Sequence, residues 1–153
     1  MNILKLELTH FGKFHLKTIT FTSGLNIVYG KNEAGKSTIH AFVRSMLFGI
    51  PDTEEGNERY SHYLPWETPH DFCGRMWIKK DDKVYRIERN FLRPQPTVRV
   101  FDDETDESLQ PAKQHLRQIL SGLTETSYLN TICIEQLKSA TDPQLAKELE
   151  DMA

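Results

Sequence analysis

From residue 2 to residue 8, Ile3, Leu6 and Leu8 alternate loosely with Lys5 and Glu7, a period near two that predicts a strand. A second strand is expected over 14–21, after the turn at His10-Phe11-Gly12. Residues 25–29, Leu-Asn-Ile-Val-Tyr, form a short and almost wholly apolar run, as expected of a strand buried on both faces. The period then changes. Ile39, Phe42, Val43, Met46, Leu47 and Ile50 recur at helical spacing, which predicts a helix with one apolar face, stopped by Gly49 and Pro51.

Residues 51–71 hold three prolines and no sustained period, so they read as an ordered but irregular excursion. Its aromatic residues Tyr60, Tyr63 and Trp66 are expected to plug it onto the core, with stacking on a base as the other reading. Three β-rich runs, 72–80, 84–91 and 97–101, are separated by turn residues and predict antiparallel strands. A helix is expected from about 111 to 120 with Leu116, Ile119 and Leu120 on one face and Ser121-Gly122 closing it. A short strand over 131–134 follows. Asp142-Pro143 then opens a last helix that carries Leu145, Leu149 and Met152.

A chain of 153 residues with 38% hydrophobic content fills one modest core. The net charge of −3 excludes a globally basic nucleic-acid binder. The charge is uneven, however: six Lys/Arg face two acids over 1–50, and eight face three over 75–99. Those two blocks are the places where an anionic partner is expected. No apolar run approaches a membrane span and no signal peptide opens the chain, so the expected setting is cytoplasmic, without a membrane partner. Cys73 and Cys133 stand far apart with no ligand spacing, and both read as buried thiols; the six histidines show no metal spacing either.

Gly30-Lys31-Asn32-Glu33-Ala34-Gly35-Lys36-Ser37-Thr38 fits G-x-x-x-x-G-K-[ST] and lies between the apolar strand and the amphipathic helix, where the chemistry requires it. Gly30 and Gly35 allow a tight turn whose N–H groups cradle phosphate oxygens at a helix N-terminus. Lys36 is expected to reach the β- and γ-phosphates, and the Ser37 hydroxyl to ligate Mg²⁺. Hydrolysis also needs a carboxylate and a group that orients water. The stretch 102–107, rich in acids after an apolar strand, reads as a solvated turn because Arg99 interrupts that strand. Gln136, after the apolar run 131–134, is the candidate that places an amide near metal and water.

These residues resemble a known family. Gly24-Leu25-Asn26 leading into the phosphate motif, His10-Phe11-Gly12-Lys13-Phe14, the strand 85–89 and the segment 130–137 around Gln136 are similar to the N-terminal half of the ATPase head of SMC/SbcC-type chromosome and DNA-repair proteins, with the bacterial YhaN-like branch among them. The resemblance implies an α/β P-loop NTPase fold, the phosphate loop between a buried strand and a helix, with an added antiparallel subsheet. It implies a lobe over 1–141 and the start of a coiled-coil helix over 142–153. Gly30, Asn32, Glu33, Ala34, Gly35, Lys36, Ser37 and Thr38 would bind ATP; Ser37 and Gln136 would meet Mg²⁺.

In that family a C-terminal lobe supplies the signature motif, the Walker B acids and the switch histidine, and two heads clamp ATP. No convincing counterpart of these stands in this sequence, and Glu135 replaces a residue that is commonly small. The expected partners are that lobe or a second head, with DNA on the basic strands 75–99. The isolated chain is expected to bind ATP, with Lys36 and Gln136 as catalytic candidates, but not to turn it over. Two alternatives stand beside this reading. One is a small self-contained P-loop kinase, disfavoured by the single arginine, Arg59, in the 51–74 excursion; the other is a nucleotide-gated scaffold.

Overall fold

The computed structural model describes residues 2–21 and 33–127, with side chains from Thr38 onward in the helix that opens at Glu33. The expected strands over 25–29 and 131–134 and the helix after Asp142 lie outside the described residues. Among the described residues, ten elements follow in chain order: β1 (Asn2–Phe11), β2 (Phe14–Thr20), α1 (Glu33–Phe48), α2 (Glu54–Tyr63), β3 (Cys73–Lys80), β4 (Lys83–Asn90), β5 (Thr97–Asp102), β6 (Glu107–Ser108), α3 (Ala112–Leu120) and α4 (Glu125–Ser127). The strands form one six-stranded sheet in the order β2-β1-β3-β4-β5-β6, and every described pairing is antiparallel.

Strand alternation sorts the sheet into two faces. Leu6, Ile19, Met76, Ile78, Ile87 and Val100 point to the core and are fully buried. Helix α1 covers that face with Ile39, Phe42, Val43, Met46 and Leu47, the residues whose spacing predicted it. An aromatic cluster ties the layers together: Phe11 meets Phe42 edge-on at 5.1 Å, stacks on Tyr63 at 5.2 Å and lies 5.4 Å from Phe72. Each such pair adds about 0.5–1.5 kcal/mol beyond its buried area. Gly74 on β3 lies beneath Phe42, where a Cβ would stand 2.3 Å from Cε1 and 2.5 Å from Cζ of the ring.

The three-strand prediction over 72–101 matches β3, β4 and β5. Helix α3 closes as expected, with Ser121 in the left-handed region at φ 50° and its N–H donating to the Arg117 carbonyl at 3.0 Å. The acidic stretch after β5 is a turn, in which the Asp102 carboxylate accepts the Glu104 N–H at 3.0 Å. One expectation is corrected: residues 54–63 form a regular helix, not an irregular excursion. The Thr53 hydroxyl caps it by accepting the Gly56 N–H at 3.0 Å, and Glu54 and Glu55 occupy its first turn. Its apolar period is hidden because Gly56 and Arg59 are its buried residues.

Gly74→Ala should destabilise the fold by roughly 1–3 kcal/mol, the range for overpacking a filled core. Urea unfolding of both chains checks this, and an unchanged midpoint would refute the close approach of α1 to β3.

Candidate functional site

Helix α1 begins at Glu33, so Glu33, Ala34, Gly35, Lys36, Ser37 and Thr38 occupy its first two turns. Gly30 and Asn32 lie outside the described residues, and so does Gln136. A helix start carries backbone N–H groups without intrahelical partners and the positive end of the dipole, which fits a phosphate group. Thr38, at 7% exposure, is the first of these residues whose side chain is described.

Three distant segments meet around Thr38. Its side chain hydrogen-bonds with that of Tyr63, at the end of α2. Burial pushes the Tyr63 phenol above its ordinary pKa, while the Arg59 charge and the Thr38 bond pull it down. Gly12, in the turn between β1 and β2, donates its N–H to the Tyr63 carbonyl at 2.7 Å. A Cβ at Gly12 would stand 3.4 Å from Tyr63 Cδ1 and 3.5 Å from Thr38 Cγ2, so space is adequate there and its φ of +59° is what favours glycine.

Gly12 also lines a cavity of about 540 Å³, together with His10, Lys13, His15, Trp66 and Glu67. Tyr60 and Tyr63 pack onto the core as expected, but the same expectation is corrected for Trp66, which is 84% exposed. His10 and His15 face each other across the hairpin with their Nδ1 atoms 3.1 Å apart. No cluster of three or more metal-ligating side chains stands among the described residues. Cys73 is half-buried rather than buried, its thiol pushed up first by desolvation and then by Asp71; Cys133 lies outside the described residues.

On the α2 side of α1, a charge cluster lines a groove of about 480 Å³ with His40, His62 and Tyr63. Arg44 on α1 donates to Glu125 at 2.7 Å and to Glu55 at 3.0 Å. Arg59, only 6% exposed, donates to Ser45 Oγ at 3.4 Å. Its Nε lies 3.3 Å from Glu55 Oε2 but off the hydrogen-bonding direction, so that atom has no hydrogen-bond partner. Desolvation first, and the Arg44 charge second, hold Arg59 below its ordinary pKa, against the pull of Glu55 and Glu125. The sequence reading missed this cluster. The signal was present in Thr53-Glu54-Glu55, a capped helix start that puts Glu55 and Arg59 one turn apart.

The basic block 75–99 is not one free stripe. Arg75 pairs with Glu7 at 2.8 Å, Arg99 with Glu88 at 3.1 Å, and Arg86 with Glu88, Asp103 and Asp106. Lys80 caps α3 by donating to the Gln118 carbonyl at 2.6 Å. Arg89 turns inward and donates to the Met46 carbonyl at the end of α1 at 2.6 Å.

The AAA domain family profile matches residues 1–141. The chain belongs to the AAA domain family. Within this AAA domain, 56 residues are 43% identical to protein YhaN of Bacillus subtilis (strain 168), a match over 36% of the chain and 6% of that protein. Over 146 residues it is 26% identical to a DNA double-strand break repair Rad50 ATPase of Thermococcus kodakarensis, covering 89% of the chain and 15% of that protein. The AAA domain thus spans a small part of the length of either relative. These similarities agree with the resemblance to the N-terminal region of SMC/SbcC-type ATPases. The AAA domain is mixed α/β with an antiparallel sheet, and no helix among its described residues is long and apolar enough to cross a membrane.

Tyr63→Phe should cost about 1 kcal/mol at neutral pH, the usual worth of one hydrogen bond. Because the folded pKa is raised, the unfolded phenol ionises first. The Tyr63 contribution is therefore intact below pH 10.0, its ordinary value, and lost as the pH climbs through the folded value. Urea midpoints of the two chains between pH 8 and 11 should converge with rising pH.

Proposed function

We propose that this chain is the nucleotide-binding N-terminal lobe of an SMC/Rad50-type ATPase head that acts in DNA repair or chromosome maintenance. One observation carries the reading. The last six residues of a phosphate-loop motif occupy the first two turns of α1, in a chain similar over 89% of its length to a Rad50 ATPase. In this reading the phosphate-loop motif, whose last six residues open α1, follows a buried strand and holds the ATP phosphates through its backbone and Lys36. Ser37 and Gln136 hold Mg²⁺, and Gln136 orients water. When bound, the metal neutralises charge that develops on the phosphates.

Residues 1–141 form the lobe and 142–153 begin a coiled-coil helix. Turnover then requires the acids and signature serine of a C-terminal lobe and a second head, so the chain alone binds ATP without hydrolysing it. Trp66 supports a refinement: its ring is exposed beside a cavity that shares Gly12 with the Thr38 junction, and gives the base a surface for stacking. DNA contact falls to residues of the basic strands outside the internal ion pairs, such as Lys79.

Titration calorimetry of the chain with Mg-ATP should show one site, weakened by at least about tenfold, or 1.4 kcal/mol, in Lys36→Ala. Phosphate release over many turnovers should stay at background. Trp66→Ala should weaken ATP while leaving inorganic triphosphate unchanged. Sustained Lys36-dependent turnover by the chain alone would overturn the lobe assignment, and ATP binding indifferent to Lys36 would overturn the phosphate loop.

A further inference from the structure

Two groups stand out among the described cations. Arg44, Arg59, Arg75, Lys83, Arg86 and Arg99 each pair with a carboxylate. Arg89, Arg93, Lys113 and Arg117 pair with none among the described residues, and all four line one cavity of about 580 Å³. The end of α1, the β4–β5 connection and α3 enclose it, and no carboxylate lines it. Leu47, Ile50, Phe91, Val98, Leu116 and Leu120 supply its apolar wall.

None of the four cations is neutralised by a carboxylate there. Lys113 and Arg117 are one turn apart on α3, a like-charge spacing that is unfavourable on a helix, and the α3 sequence AKQHLRQIL contains no acid to offset it. Arg93 is oriented by neutral groups: it donates to Asn57 Oδ1 at 2.7 Å and to the Pro51 carbonyl at 3.3 Å, and lies 4.4 Å over the Tyr60 ring. Arg89 is desolvated, which lowers its pKa to about 10, and its hydrogen bonds go to the carbonyls of Met46 and Leu47. Those carbonyls carry only the partial negative charge of a helix end. A cleft lined by one sign of charge and walled by apolar side chains concentrates ions of the other sign.

We propose that this cavity binds a small organic anion with an apolar body. Arg93, Lys113 and Arg117 hold the acid group, and Phe91, Val98 and Leu116 pack against the body. Carboxylates, sulfonates and phosphate monoesters all match guanidinium donors. The volume lies in the range of small-molecule sites, between about 300 and 1,000 Å³. The site is separate from the phosphate loop: α1 has 16 residues, and the two sites lie at its opposite ends. At 1.5 Å per residue that separation is about 24 Å. The proposal stands whether or not the chain binds ATP.

The probes are 8-anilinonaphthalene-1-sulfonate and N-phenyl-1-naphthylamine, which share an aromatic frame but differ in the sulfonate. The full chain is titrated with each by fluorescence, and the sulfonate is located by amide NMR shifts. Lys113→Gln/Arg117→Gln changes two exposed side chains, and Lys79→Gln/Lys83→Gln removes the same charge elsewhere. The sulfonate should bind at one site, shift amides within 47–51, 89–98 and 113–120, and bind at least about tenfold more weakly to the first double variant. The second double variant should stay within about twofold, and the neutral dye should bind at least about tenfold more weakly than the sulfonate. Equal binding of the two dyes, equal weakening in both double variants, or shifts elsewhere would each overturn the proposal. So would displacement of the dye by a short single-stranded DNA but not by 1-naphthoate, which would assign the cations to a nucleic-acid strand.

Discussion

Phe42 lies against Gly74, and the absence of a side chain at Gly74 sets how closely α1 approaches the sheet. A packed interior tolerates little displacement, so this contact fixes where both ends of the helix fall. At one end Thr38 reaches Tyr63 and the β1–β2 turn; at the other, Arg89 caps the carbonyls of Met46 and Leu47. The phosphate-loop end and the basic cavity are therefore held by one rigid element, and the Phe11–Phe42–Phe72 cluster keeps it seated.

Charge is placed by register more than by composition. Arg75, Arg86 and Arg99 share the outer face of the sheet with Glu7 and Glu88, so Arg75 meets Glu7 and Arg99 meets Glu88 across strand boundaries, while Arg86 meets Glu88 along β4. Arg89 falls on the inner face, in register with Gly74, and its charge goes to the α1 carbonyls. A run of eight cations in sequence thus separates into paired, capping and unpaired groups. Only the unpaired group retains charge for a ligand.

Strands β1 to β5 and helices α1 and α3 were legible because each turns apolar residues to the core, whereas the two-residue β6 buries neither Glu107 nor Ser108 and left no such signal. Helix α2 was not legible, because its buried positions are Gly56 and Arg59, with Tyr60 and Tyr63 half-buried beside them. A hydrophobicity pattern cannot register a buried arginine. The same blindness hid the Arg44–Glu55–Arg59–Glu125 cluster, whose members are exposed surface charges by any sequence criterion. Thr38 was legible as the end of a motif, whereas its bond with Tyr63 and its proximity to Gly12 depend on segments far apart in the chain.

By itself the sequence determined the strand and helix periods, the phosphate motif and its place at a helix start, and the family to which the chain belongs. These are local: backbone geometry and short-range spacing are written in consecutive residues. Only the tertiary structure decided which cations are neutralised, which are left facing a cavity, and which turn and helix end close around Thr38. Most of those outcomes depend on contacts between different elements, up to 81 positions apart for Arg44 and Glu125, and strand register and helix packing set such distances.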